Sequence, residues 1–101
     1  MIKTILNKEQ FDQAIASKQA IVDFNATWCG PCQMLKPIIE KMSEENPSLD
    51  FYSLDTDQVP EACERYGVFS IPTIIVFEEG KEKKRNVGYL PEPGLKKFLG
   101  L

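Results

Sequence analysis

The sequence predicts an α/β layered fold, a central mixed sheet flanked by helices, and three observations predict it. Apolar runs of strand length alternate with segments whose apolar residues recur at helical spacing. The strongest strand signal, Thr73-Ile74-Ile75-Val76-Phe77, precedes a turn and a returning strand, so part of the sheet is antiparallel. The length of 101 residues, with 43% hydrophobic, is that of one domain over residues 1–101, and no repeat, linker or low-complexity stretch interrupts it.

Each element has a local reason. Asn7 can cap a helix with Gln10 in capping-box position, and Phe11, Ala14 and Ile15 keep helical spacing behind it, which predicts a first helix over Lys8 to Ser17. Ala20-Ile21-Val22-Asp23-Phe24-Asn25 is a nearly continuous apolar run rich in β-branched residues, the pattern of a strand covered on both faces. Met34, Leu35, Ile38, Ile39 and Met42 then mark a long helix that ends near Glu45-Asn46-Pro47, with a kink expected at Pro37, where one backbone hydrogen bond is lost. Leu49 to Asp55 reads as a further covered strand. Val59, Ala62, Cys63 and Tyr66 line one face of a short helix ending before Gly67. Glu78 to Lys81 makes a turn, Lys84 to Gly88 returns as a hairpin partner, and Leu95, Phe98 and Leu99 close the chain on a last helix.

Composition excludes several function classes. Lysine and arginine number 12 against 15 acidic residues, for a net charge of −3, and the short run Lys81 to Arg85 reads as a solvated turn. No basic surface for nucleic acid or an anionic membrane is expected. The absence of histidine removes imidazole from every mechanism, leaving carboxylate, thiol, lysine and tyrosine as acids and bases. Residues 1–10 offer no apolar segment of signal-peptide length, and no stretch approaches the ~20 apolar residues of a membrane span, so a cytoplasmic location is expected. Three cysteines in such a compartment are a poor disulfide framework and point to reactive or inert thiols.

Cys29 and Cys32 fall where a covered strand becomes a helix. Unpaired N–H groups and the positive end of the helix dipole favour a thiolate at the first cysteine, the candidate nucleophile. Cys32, one turn further in, is less exposed, and the spacing permits a disulfide to open and close without unfolding. Pro31 suits the first helical turn, and Gly30 leaves a side approach to the sulfur open. Asp23 interrupts an apolar strand, so its carboxyl loses hydration and its pKa rises. It is either a proton exchanger or a buried carboxylate satisfied by backbone donors. Cys63 shares an apolar helical stripe and reads as an inert core thiol.

Val22-Asp23-Phe24, Ala26-Thr27-Trp28-Cys29-Gly30-Pro31-Cys32, Pro37, Ile71-Pro72-Thr73 and Gly88 together resemble the thioredoxin family, over essentially the whole chain. The resemblance implies a thioredoxin-like fold with about five strands and about four helices, and a protein thiol-disulfide oxidoreductase with no bound cofactor beyond the Cys29-Cys32 dithiol. It implies that Cys29 attacks, that Cys32 resolves and that Asp23 takes the Cys32 proton. The rarity of cis X-Pro bonds by itself favours a trans bond before Pro72; the resemblance implies a cis bond facing the cysteines, in a substrate groove rimmed by Trp28, Gly30, Pro31, Ile71, Pro72 and Gly88. Disulfide-containing proteins are the implied substrates, a separate thioredoxin reductase the implied electron donor, and a monomer the implied state. No metal, nucleic acid or membrane partner is implied.

Ser53 stands where many bacterial thioredoxins carry a lysine near the buried carboxylate, Asn25 replaces a frequent aromatic residue, and Tyr89 follows Gly88 where a small residue is common. Two other classes compete with the enzyme. A metal-binding module would use Cys29, Cys32, Cys63 and a carboxylate, and a non-enzymatic scaffold would keep its activity without Cys29 and Cys32.

Overall fold

A computed structural model describes residues 1–101 as nine elements in the order β1 (Ile2–Ile5), α1 (Lys8–Ile15), β2 (Ala20–Asn25), α2 (Gly30–Glu45), β3 (Phe51–Asp55), α3 (Pro60–Tyr66), β4 (Thr73–Glu78), β5 (Lys81–Val87) and α4 (Glu92–Leu99). The five strands form one sheet in the order β1-β3-β2-β4-β5. β2 is parallel to β3 and antiparallel to β4, which makes the sheet mixed. The predicted class and the implied count of strands and helices both hold.

The alternation of side chains along β2 and β4 assigns each helix to a face. Ala20, Val22 and Phe24 of β2 join Ile75 and Phe77 of β4 in a core completed by Phe11, Ala14 and Ile15 of α1 and Ala62 of α3. Phe11 meets Phe24, Tyr66 and Phe77 edge to face, so aromatic packing fastens α1 and α3 to this side. Ile21, Ile74 and Val76 point the other way, against Leu35, Ile39 and Met42 of α2 and Leu95 of α4. Asp23, two residues beyond Ile21, therefore lies on the α2 face. This parity directs its carboxyl toward the cysteine helix.

Capping explains where the helices begin and end. The Asn7 side chain accepts the Gln10 N–H at 2.8 Å, and Gln10 Oε1 reaches past the cap to the Leu6 N–H at 2.8 Å. α1 ends at Ile15, two residues before the predicted limit. Gly67 closes α3 in the left-handed conformation at φ 63°, which a glycine adopts without steric cost. α2 runs unbroken through Pro37 as one 16-residue helix.

Two readings are corrected. Residues 2–5 form an edge strand, β1, which their short mixed pattern does not reveal. Lys81 to Arg85 belongs to the edge strand β5 rather than to a turn; the run is mostly solvated, and its charges disfavour pairing of this open sheet edge with another strand.

Candidate active site

The covered strand β2 delivers the chain to a short loop and then to the amino terminus of α2. Cys29 is the cap of that helix: its backbone is extended, and its Sγ accepts the Cys32 backbone N–H at 3.3 Å. A sulfur in this position meets one of the unpaired donors of the first turn and the positive end of the helix dipole. Cys32 lies inside the helix. The two are joined as a disulfide with Cα atoms 5.2 Å apart.

The difference in exposure between the two cysteines is smaller than the sequence suggests. Cys29 is 6% exposed and Cys32 2%. Both pack with Ala26 and Ile71 in a small apolar cluster, so helix position rather than accessibility distinguishes them. Gly30 and Pro31, both exposed, border Cys29. A Cβ at Gly30 would meet no atom within 4 Å, so the glycine leaves outward space free rather than relieving an internal clash.

The loop before β4 closes the other side. The Ile71-Pro72 bond is cis, as the resemblance implies, and the Ile71 carbonyl oxygen lies 3.9 Å from Cys29 Sγ. Ile71 is half-buried, whereas Pro72 is buried and supports the loop instead of forming an exposed rim. The Gly88 N–H donates to the Pro72 carbonyl at 2.8 Å, and Gly88 sits at φ 102°, a conformation that a side chain would strain. Trp28 is 71% exposed, and its indole N–H donates to Asp57 Oδ2 at 2.8 Å. No local sequence pattern links Trp28 to Asp57, which lies 29 residues further along the chain.

Asp23 is 6% exposed and opens on a cleft of about 440 Å3 that Cys32 also lines, together with Asn25, Lys36 and Ser53. Ser53 stands beside Asp23 in the parallel register of β2 and β3. Burial pushes the Asp23 carboxyl up to about 6, and the Asn25 amide, which donates to Oδ2 at 3.1 Å, opposes that rise. Oδ1 is buried with no hydrogen-bond partner. Asn25 and Lys36 are absent from the site read from sequence. For Asn25 the available signal was its strand parity with Asp23, two residues away on the same face.

Cys63 is a free thiol, half-buried beside the α1/α3 core rather than enclosed by it. Burial pushes its pKa up, which disfavours a reactive thiolate. No three His, Cys, Asp or Glu side chains converge as a metal-ligand set. No helix is long and apolar enough to cross a membrane.

The thioredoxin family model matches residues 2–100. A thioredoxin of Chlamydia muridarum (strain MoPn / Nigg) is 43% identical over 95 residues, spanning 94% of this chain and 93% of that protein. Thioredoxin-1 of Saccharomyces cerevisiae (strain ATCC 204508 / S288c) is 45% identical over 92 residues, spanning 90% and 89%. Among solved structures, a Plasmodium falciparum thioredoxin superposes with a TM-score of 0.92 at 31% identity, covering 98% of this chain and 97% of its own. With that sequence and fold, and a vicinal cysteine pair at disulfide distance, the chain is a thiol-disulfide oxidoreductase and belongs to the thioredoxin family.

Proposed function

We propose that Cys29 is the nucleophile, Cys32 the resolving thiol and Asp23 the acceptor of the Cys32 proton in the reduction of protein disulfides. The observation that carries the reading is the Cys29 Sγ at the helix cap, accepting the Cys32 N–H. In the dithiol state that donor and the helix dipole favour a thiolate on Cys29. The thiolate attacks one sulfur of the substrate disulfide, a Cys29-substrate disulfide forms, and the second substrate sulfur leaves as a thiolate. Cys32 gives its proton to Asp23, directly or through water, and its sulfur attacks Cys29 Sγ. The Cys29-substrate bond breaks, the two electrons of the dithiol reside on the substrate thiols, and the chain is left with a Cys29-Cys32 disulfide.

The substrate groove in this reading is rimmed by Trp28, Gly30, Pro31, Ile71 and Gly88, with the buried Pro72 holding the loop beneath it. The Ile71 N–H donates to no group of the chain, which suits it to an extended substrate segment laid across Cys29. Disulfide-containing proteins are the substrates, and a separate thioredoxin reductase restores the dithiol; no bound cofactor enters the cycle. The working unit in this reading is a cytoplasmic monomer, one thioredoxin-like domain over residues 1–101.

Turnover of a protein disulfide with dithiothreitol as reductant tests the activity. The rate should exceed the uncatalysed exchange and vanish in Cys29→Ser. A rate equal to the uncatalysed one in the unaltered chain would overturn the reading.

A further inference from the structure

The cleft between β2, β3 and α2 holds a hydrogen-bond arrangement that the exchange chemistry above does not use. The Asn25 side-chain nitrogen lies 3.1 Å from Asp23 Oδ2, 3.2 Å from the Asp23 carbonyl oxygen and 2.9 Å from Ser53 Oγ. All of these atoms can accept, so the amide nitrogen is fixed facing them. Asn25 reaches Asp23 because residues two apart on a strand share a face, and it reaches Ser53 because β3 places that hydroxyl beside Asp23. Asp23 makes no other side-chain hydrogen bond, and its Oδ1 is buried and unpartnered.

We propose that Asn25, braced by Ser53, is a positioning residue that reserves Asp23 Oδ2 as an acceptor and so makes Oδ1 the atom that takes the Cys32 proton. A proton on Oδ2 would turn it into a hydroxyl oxygen, a weaker acceptor for the amide, whereas a proton on Oδ1 leaves Oδ2 as the carbonyl acceptor and the Asn25 bond at full strength. The two carboxylate oxygens, equivalent in water, are thus made unequal here.

Charge supports the same assignment. The charged groups on this cleft besides Asp23 are Lys36 and Glu40 of α2 and Asp55 of β3; the β1 residues Ile2 and Thr4, and Ile74 of β4 opposite Asp23, carry no charge. None of them forms an ion pair with Asp23, so the neutral amide is what offsets burial. An amide dipole stabilises the carboxylate less than a full cation does. The carboxyl therefore remains easily protonated near neutrality, which suits a group that must take a proton and release it.

This inference rests on Asp23 as the proton acceptor, and its test separates the two claims. The Asp23 carboxyl carbon is titrated by NMR in the oxidised full-length chain, and the collapse of the Cys29 mixed disulfide is followed by stopped flow across pH. Asn25→Ala should move the Asp23 midpoint up by about one pH unit, since a hydrogen bond to the charged form is lost. Collapse below the midpoint should then slow about tenfold and converge with the unaltered chain at higher pH. Ser53→Ala should shift the midpoint less, in the same direction, and Ser53→Thr, which keeps the hydroxyl, should restore it. The double variant Asn25→Ala/Ser53→Ala should shift no further than Asn25→Ala alone, because Ser53 acts through Asn25. An unchanged midpoint in both Asn25→Ala and Ser53→Ala, with the acid limb lost in Asp23→Asn, overturns the Asn25 role alone. An acid limb that persists in Asp23→Asn overturns the Asp23 assignment and this inference with it. Should Asn25→Ala fail to fold, the Ser53 variants decide between the same outcomes.

Discussion

The Trp28 indole N–H is bound to Asp57 Oδ2 at 2.8 Å, and Asp57 is itself held by its backbone N–H, which donates to Asp55 Oδ1 at 2.8 Å. An exposed ring beside the reactive sulfur is therefore tethered to the loop that follows β3. Asp57→Ala should release it. An ordinary hydrogen bond contributes about 0.5–1.5 kcal/mol, so kcat/KM for a protein disulfide should fall about two- to tenfold, with a smaller change in kcat. An unchanged kcat/KM together with unchanged tryptophan fluorescence would show that the tether has no part in docking.

Asp23 makes stability depend on pH in a direction opposite to that of most carboxylates. Its folded pKa is about 6, above the unfolded value near 3.8, so between these values the native state binds more protons than the unfolded chain. Stability falls as pH rises through that window, by about 2–3 kcal/mol in all if the group is fully coupled to folding. Asp23→Ala should remove this slope and should be more favourable, relative to the unaltered chain, at pH 8 than at pH 4. Urea unfolding at the two pH values measures it; a variant relatively less stable at pH 8 contradicts the burial argument. The same substitution should slow resolution of the mixed disulfide, and resolution at the unaltered rate would contradict the proton-transfer role.

Cys63→Ala should leave turnover near that of the unaltered chain. The thiol is half-buried on α3, its Sγ lies 3.9 Å from the Val59 carbonyl oxygen, and burial disfavours its thiolate. Stability should change by about 1 kcal/mol or less, because little apolar volume is removed from a site that is not fully enclosed. Loss of turnover at constant stability would give Cys63 a part in exchange.

The legible and illegible parts of this fold differ in burial. β2 and β4 run through the middle of the sheet with both faces covered, and unbroken apolar runs reveal them. β1 and β5 are edges, where one side faces solvent and the residues are mixed or charged, so no apolar run marks the first and the charges of the second resemble a solvated turn. At the site, the cysteine pair, Trp28, Asp23 and the Ile71-Pro72 loop were readable as contiguous motifs. The Asn25 contact with Ser53 and the Trp28 contact with Asp57 join residues brought together only by strand register and by the loop after β3, which no short pattern encodes. The nearly equal burial of Cys29 and Cys32 was also hidden, because it arises from the approach of Ile71 across the helix end.

The division of labour between the cysteines is tested most directly by trapping. Cys32→Ser, reacted with a disulfide-containing protein and analysed by intact and peptide mass spectrometry, should accumulate a stable covalent complex joined through Cys29, because the helix-cap sulfur attacks and nothing remains to release it. Complexes joined through Cys63, or trapping by Cys29→Ser through Cys32 at a comparable rate, would contradict the assignment.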